Sequence, residues 1–168
     1  MTPEQITILR AACFADPVAA AFFQPRDNVG LCAYLNQNSA FIVWRTLVTQ
    51  DEIMLNGFDW ARVDNLSVGK ARIWEWLFNN SQKAFNPSKA NVRAGIDQAW
   101  AGTAADLAVR AAVYTHCKRP ARISEKMLAT GTGTDANPGL LTVEGELFQH
   151  EADTLMFKSD GSTWTAGG

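Results

Sequence analysis

His116 and Cys117, with Cys13, Cys32 and His150 elsewhere in the chain, are the residues best suited to hold a soft metal ion. A zinc site usually presents its ligands as pairs about two to four residues apart. Adjacent His116 and Cys117 on a helix would diverge by about 100°, so this spacing favours buried thiols and a surface histidine. Glu144, Glu146, Glu151 and Asp153 form the densest acidic group. They lack the regular Asp/Asn–Gly spacing of a calcium loop, and read as a solvated arm. The glycine-rich residues 131–139 contain no lysine, and a predicted helix precedes them where a phosphate loop needs one to follow. A flexible hinge is the expectation there. Nucleophilic catalysis would need a Ser or Cys beside a base and an orienting acid. The chain has no Gly-x-Ser-x-Gly elbow and only two histidines. The expectation is a protein with no enzymatic activity, no cofactor and no metal site.

The six tryptophans are a different kind of signal, because tryptophan is enriched at interface hot spots. Amphipathic spacing predicts that Trp44, Trp60, Trp74 and Trp100 belong to the core. Trp76 lies about 200° around the helix from Trp74 and cannot share its stripe. Trp164 sits among Ser, Thr, Ala and Gly with no local core to join. Trp76 and Trp164, with the strand-like apolar residues Leu140, Leu141 and Val143 and with Phe148, are the candidate interface residues.

These residues must be positioned by a chain of 168 residues with 47% hydrophobic and 19% charged residues, a balance that supports a folded core. A formal charge of −2 leaves no electrostatic footprint for nucleic acid, and the only local basic cluster is Lys118, Arg119 and Arg122. Three widely spaced cysteines suit a reducing compartment better than a disulfide framework. The opening Met1-Thr-Pro-Glu-Gln5 is an acidic helix start, not the basic region of a leader, and no apolar run approaches the roughly 20 residues of a membrane span. Synthesis in the cytoplasm is expected.

Thr2, Pro3 and Gln5 predict a capped helix start, with Ile6, Leu9 and Cys13 on one face. Asp16-Pro17 restarts a short helix, and Asp27 or Asn28 caps a third through Leu35. Residues 41–44 are apolar without helical period and fit either a strand or a buried turn. Thr49 and Glu52 form a second capping box, and Asn56-Gly57 should end that helix. The most strongly helical stretch follows Ser67, with Val68, Ala71, Trp74, Leu77 and Phe78 on one predicted face. Asn86 to Ser88 should cap the next helix, with Val92, Ile96, Ala99 and Trp100 as its stripe. Thr103 should cap another, with Leu107, Ala111 and Tyr114 on one face. Pro120 fits the first turn of a last short helix through Ile123, Met127 and Leu128.

Several of these segments resemble small virion proteins of tailed bacteriophages encoded between capsid and tail genes. The likeness lies in Thr2-Pro-Glu-Gln-Ile-Thr-Ile-Leu-Arg10, Val43-Trp-Arg45, residues 68–77, Asn86-Pro-Ser-Lys-Ala-Asn-Val-Arg93 and Ala129-Thr-Gly-Thr-Gly-Thr134. It extends over most of the chain to about Glu146 and carries no catalytic motif. Such proteins resemble head–tail connector (adaptor) subunits. The resemblance implies a structural protein of the neck that forms a homo-oligomeric ring, commonly twelvefold, beneath the portal protein. It would pass contacts to an adjacent neck or tail protein and let DNA through without specific binding. A tail terminator, another neck or tail component, a non-virion assembly chaperone and a small regulator are the competing expectations. The expected fold is mostly α, a helical bundle over residues 1–129 with an extended, partly β C-terminal arm over residues 130–168.

Overall fold

The structure, a computed structural model, describes residues 1–55 and 58–166. The chain divides into two units: Met1–Val43 together with Pro120–Gly168, and the intervening Trp44–Arg119. Each has its own hydrophobic core.

The first unit begins with α1 (Pro3–Ala15), held open to its correct start by reciprocal bonds. The Thr2 N–H donates to Gln5 Oε1 at 2.8 Å and the Gln5 N–H to Thr2 Oγ1 at 3.2 Å, which satisfies two orphan donors of the first turn. Asp16 caps α2 (Pro17–Ala21) and Asp27 caps α3 (Asn28–Leu35). Ile6, Leu9 and Cys13 face inward as their spacing predicts. The aperiodic run at 41–44 is extended, as part of β1 (Asn38–Trp44).

The second unit holds β2 (Val48–Thr49), α4 (Gln50–Met54), α5 (Trp60–Asp64), α6 (Val68–Leu77), β3 (Ala84–Phe85), α7 (Ala90–Ala99) and α8 (Ala104–His116). β2 and β3 pair antiparallel, with Val48 opposite Phe85. The Thr49–Glu52 capping box is present, while Asn56 and Gly57, expected to end α4, lie outside the described residues. Two helix faces differ from the expected ones. Val68 is 77% exposed, so the buried side of α6 is Trp74 and Phe78, half-covered by Ala71 and Leu77. On α8 the buried line is Asp106, Val109 and Val113, continuing to Cys117, and Leu107 and Ala111 face outward. Asn86 does not cap α7. Its carboxamide oxygen instead takes the Ser88 N–H at 3.0 Å and the Ser88 hydroxyl at 2.6 Å in a turn ahead of the helix, and Lys89 occupies the cap without a side-chain bond.

The chain returns to the first unit through β4 (Lys118–Arg122), which pairs with β1 in a two-stranded sheet. Pro120 therefore belongs to a strand, not to a first helical turn. Proline fits an outer strand because its missing N–H costs no ladder bond there. α9 (Ile123–Leu128) starts three residues later and α10 (Gln149–Met156) closes the fold. α10 packs on α1 and α3 and buries Ala152, Leu155 and Met156 in the first core.

The molecule is about 51% helix and 13% strand with two small antiparallel sheets. It is a mixed α/β protein, and the expected helical bundle with an extended C-terminal arm is corrected on both counts. The arm is folded: the unit that contains Met1–Val43 also contains everything after Pro120. The glycine-rich residues 131–139 are a fitted loop rather than a hinge. Ile42 donates its N–H to Gly133 O at 2.7 Å and accepts from Gly139 N–H at 2.8 Å. A Cβ at either glycine would overlap the Phe41 ring, and Gly133 has φ +65°, a conformation glycine adopts without penalty. Among the described residues no helix is long and apolar enough to cross a membrane.

Candidate functional site

An open apolar groove lies on the second unit. α4, α5, α6 and the turn at 79–83 enclose a groove of about 540 Å³ lined by Met54, Trp60, Val63, Trp74, Trp76 and Phe78. Its floor is built by aromatic packing. The Trp74 ring stacks on Phe58 at 5.8 Å and meets Phe78 and Trp100 edge-on at 5.1 and 5.3 Å, the offset and T-shaped arrangements that aromatic quadrupoles favour. Its walls are different. Trp60 is 57% exposed and Trp76 65% exposed, so two large apolar rings face solvent beside a closed core. The Trp74 Nε1–H is buried and has no hydrogen-bond partner among the described residues.

Local sequence sets this geometry. Ser67 opens α6 by accepting from the Lys70 N–H, which fixes the helical phase that buries Trp74 and turns Trp76 outward. Val68, Arg72 and Trp76 follow at four-residue steps on the exposed side. Asn80 shapes the rim: its Oδ1 accepts from Gln82 and Ala84 N–H at 3.1 and 3.3 Å, and its Nδ2 donates to Ala84 O at 2.6 Å. Lys83, at φ +44°, gives its carbonyl to the Gln50 N–H at 2.8 Å, joining the rim to α4. The side chains of Arg72 and Lys83 make no ion pair among the described residues.

The remaining candidates lie on the first unit. Phe148 is 63% exposed and stacks on His150, ring centroids 5.8 Å apart. It stands beside exposed Glu144 and Glu146, the latter 3.0 Å from Arg122. Leu140 is exposed, whereas Leu141 and Val143 are half-buried, and Val143 packs against the first core. Trp164 is not without local partners, contrary to the sequence reading. Its ring lies 4.0 Å from the Arg10 guanidinium and 4.8 Å from the Lys158 ammonium, its Nε1–H donates to Phe157 O at 3.1 Å, and its backbone N–H to Met156 O at 2.9 Å. Arg26 holds the same turn by bonds to Gly161 O and Thr163 Oγ1 at 2.8 and 2.9 Å.

Trp60 is the clearest groove residue that spacing misplaced, since it was expected in the core. A signal was available: Asp59 and Asp64 bracket the five-residue α5, and so short a helix between two carboxylates presents much of its surface to water.

The residues that could do chemistry are not gathered. Among the described residues no group of three or more His, Cys, Asp and Glu side chains could hold a metal ion. Burial first, with Asp16 adding to it, pushes the Cys13 thiol up to about 12, and burial does the same to Cys117, so both are neutral near pH 7 and poor nucleophiles. Among the described residues the buried acids are Asp106, Glu125 and Glu151, and each serves structure. Glu151 accepts from the Met1 ammonium at 2.6 Å and from the Phe148 N–H at 3.0 Å. Asp106 accepts from Arg62 at 2.6 Å and from the Thr103 N–H at 3.0 Å, and Glu125 from the backbone N–H groups of Arg122 and Gly145 at 2.8 and 2.9 Å. No family model, no curated protein and no solved structure matches this chain.

Proposed function

We propose that the chain is a structural virion protein of a tailed bacteriophage, a ring-forming head–tail connector (adaptor) that joins the portal to the tail and carries no chemistry of its own. The observation that carries this reading is the exposure of Trp60, Trp76 and Phe148 on units whose cores are already closed. Large aromatic side chains left in water beside a finished core are what a surface awaiting a protein neighbour requires. The resemblance of residues 68–77 and 86–93 to phage neck proteins supports the same assignment. A formal charge of −2 suits a conduit wall that passes DNA without holding it. On this reading the protein is made in the host cytoplasm and ends in the neck of the virion.

Quantitative mass spectrometry of purified particles tests it. About a dozen copies per particle, as one closed ring would supply, is the expected result. A much larger number would move the protein to the tail tube or the capsid surface. Its absence from particles would overturn the proposal in favour of an assembly factor.

A further inference from the structure

A cavity of about 180 Å³ lies in the first unit, lined by α9, the start of α10 and residues 143–148 between them. Its lining divides by chemistry. Leu128, Val143 and Leu147 give it an apolar wall, while Glu125, Glu144, Glu146 and Glu151 bring four carboxylates against the one ammonium of Met1. Arg122 stands behind them, 3.0 Å from Glu146 and 3.9 Å from Glu125, and the carboxylates still outnumber these two cations. Glu125 and Glu151 are buried, at 2% and 9% exposure. Ser124 lines the same cavity at 5% exposure, and its hydroxyl makes no hydrogen bond among the described residues. The unpartnered side-chain atoms sealed from solvent are Arg62 Nε, Trp74 Nε1 and Trp100 Nε1, so the Ser124 Oγ is open to the cavity. Buried hydroxyls are normally bonded, and one that faces a cavity marks a place for a polar group of a ligand.

We propose that this cavity binds a short aliphatic primary amine in its ammonium form, with the head on Ser124 and Glu151 and the chain against the apolar wall. The assignment is independent of the neck reading above. Three observations select the ligand class. Glu151 already takes one primary ammonium: Met1 donates to its Oε1 at 2.6 Å, while its Oε2 accepts from the Phe148 N–H at 3.0 Å. Each carboxylate oxygen has two lone pairs, so a further donor can join them. The four carboxylates disfavour an anion. Among the described residues no three His, Cys, Asp or Glu side chains are placed to share a metal ion. The carboxylates therefore do not converge on a point as a hard metal requires, and the wall of Leu128, Val143 and Leu147 suits a cation that carries an alkyl chain. The volume limits that chain to a few carbons, below the roughly 300–1,000 Å³ of drug-sized sites.

The test uses the full chain and n-butylammonium chloride, with 1-butanol as the neutral probe of similar length and butyrate as the anion. An NMR titration of the backbone amides should give a Kd of about 1 mM for n-butylammonium, the scale for so few heavy atoms. Both control probes should bind at least about tenfold more weakly. The shifts should concentrate at Ser124, Gly145 and Leu147, which line or border the ligand. Ser124→Ala should keep the wild-type thermal midpoint, because its hydroxyl bonds nothing in the fold, and should weaken n-butylammonium about tenfold. Equal binding of 1-butanol would mean an apolar recess with no choice of charge, and would overturn the proposal. So would unchanged affinity in Ser124→Ala, or shifts confined to residues away from the cavity. An absence of shifts at about fifty times the expected Kd would overturn it too, and leave the cavity to water.

Discussion

The first unit is closed by aliphatic side chains and the second by rings. In the first, Leu9, Leu31, Leu35, Leu155 and Met156 are fully buried, and among the described residues Phe23 is the buried aromatic, with Phe14, Phe22, Tyr34 and Phe157 half-buried against them. In the second, Trp74, Phe78, Phe85 and Trp100 form a continuous aromatic cluster joined by Phe58. Aliphatic chains fill irregular space from many small contributions, whereas rings fill it in a few large pieces. The difference shows in the polar atoms. Among the described residues, the buried side-chain nitrogens without a partner are Arg62 Nε, Trp74 Nε1 and Trp100 Nε1, all in the second unit. An indole brings a large apolar area inward together with one N–H that must find an acceptor. A core that tolerates this depends heavily on each ring it buries.

The largest expected effect follows from that dependence. Trp100 is fully buried and meets both Trp74 and Phe58 edge-on. Trp100→Ala should cost about 3–5 kcal/mol in urea unfolding, and a loss below about 1 kcal/mol would show that the aromatic cluster is not the second core. Next comes the first unit's fitted loop. Gly133→Ala would place a Cβ against the Phe41 ring at φ +65°, and should cost about 2–3 kcal/mol from the left-handed backbone and the overlap together. A neutral result would mean that the loop moves away from β1 freely and is a hinge after all.

What the sequence revealed follows the range of the interaction responsible. The starts of α1, α2, α3, α4, α6 and α8 were legible because each is fixed by a cap within three residues, such as Thr2 with Gln5 or Thr49 with Glu52. The strand character of residues 38–44 was half legible, since the aperiodic run at 41–44 fitted a strand or a buried turn. The partner that decides between them, β4, lies more than 70 residues away in sequence and nothing local announces the pairing. The same distance hid Pro120's place in a strand. Gly133 and Gly139 are a non-local signal too: they admit the Phe41 ring, and only the fold brings that ring to them. Helical phase alone put Trp76 on a different side of α6 from Trp74, and the structure makes that side the exposed one. The groove it borders was not legible, because Trp60 and the rim at Lys83 come from separate elements.

Smaller effects sharpen the contrast between the units. Trp164 belongs to the first, where its ring is clasped by Arg10 and Lys158. Trp164→Ala should lower stability by about 1–2 kcal/mol through the lost cation–π contact and the lost bond to Phe157 O, and a melt unchanged from wild type would return Trp164 to the role of an intermolecular anchor. In the second unit, the Arg62 guanidinium, with Thr103, holds the Asp106 carboxyl down at about 2. A depressed carboxylate adds stability that is fully present above its unfolded pKa of about 3.9, and that is lost as the pH falls through the folded value. The thermal midpoints of wild type and Asp106→Asn should therefore differ at pH 7 and converge on acidification. Parallel curves down to pH 2 would exclude the Arg62 pair as the cause.

The smallest expected effect is the most informative about the second unit, because it separates two tryptophans on the same helix. Trp74 and Trp76 are two positions apart on α6, one buried and the other 65% exposed. If the groove wall exists for a neighbour and not for the fold, Trp76→Ala should change unfolding stability by no more than about 0.5 kcal/mol, while Trp74→Ala costs several times that, toward the range for a buried ring. Equal losses would mean that Trp76 covers the aromatic core, and the exposed ring would then be explained by the second unit's own packing. Unequal losses leave the stability of the unit to Trp74 and free Trp76 for contact, which is the separation of tasks that an interface on a finished core demands.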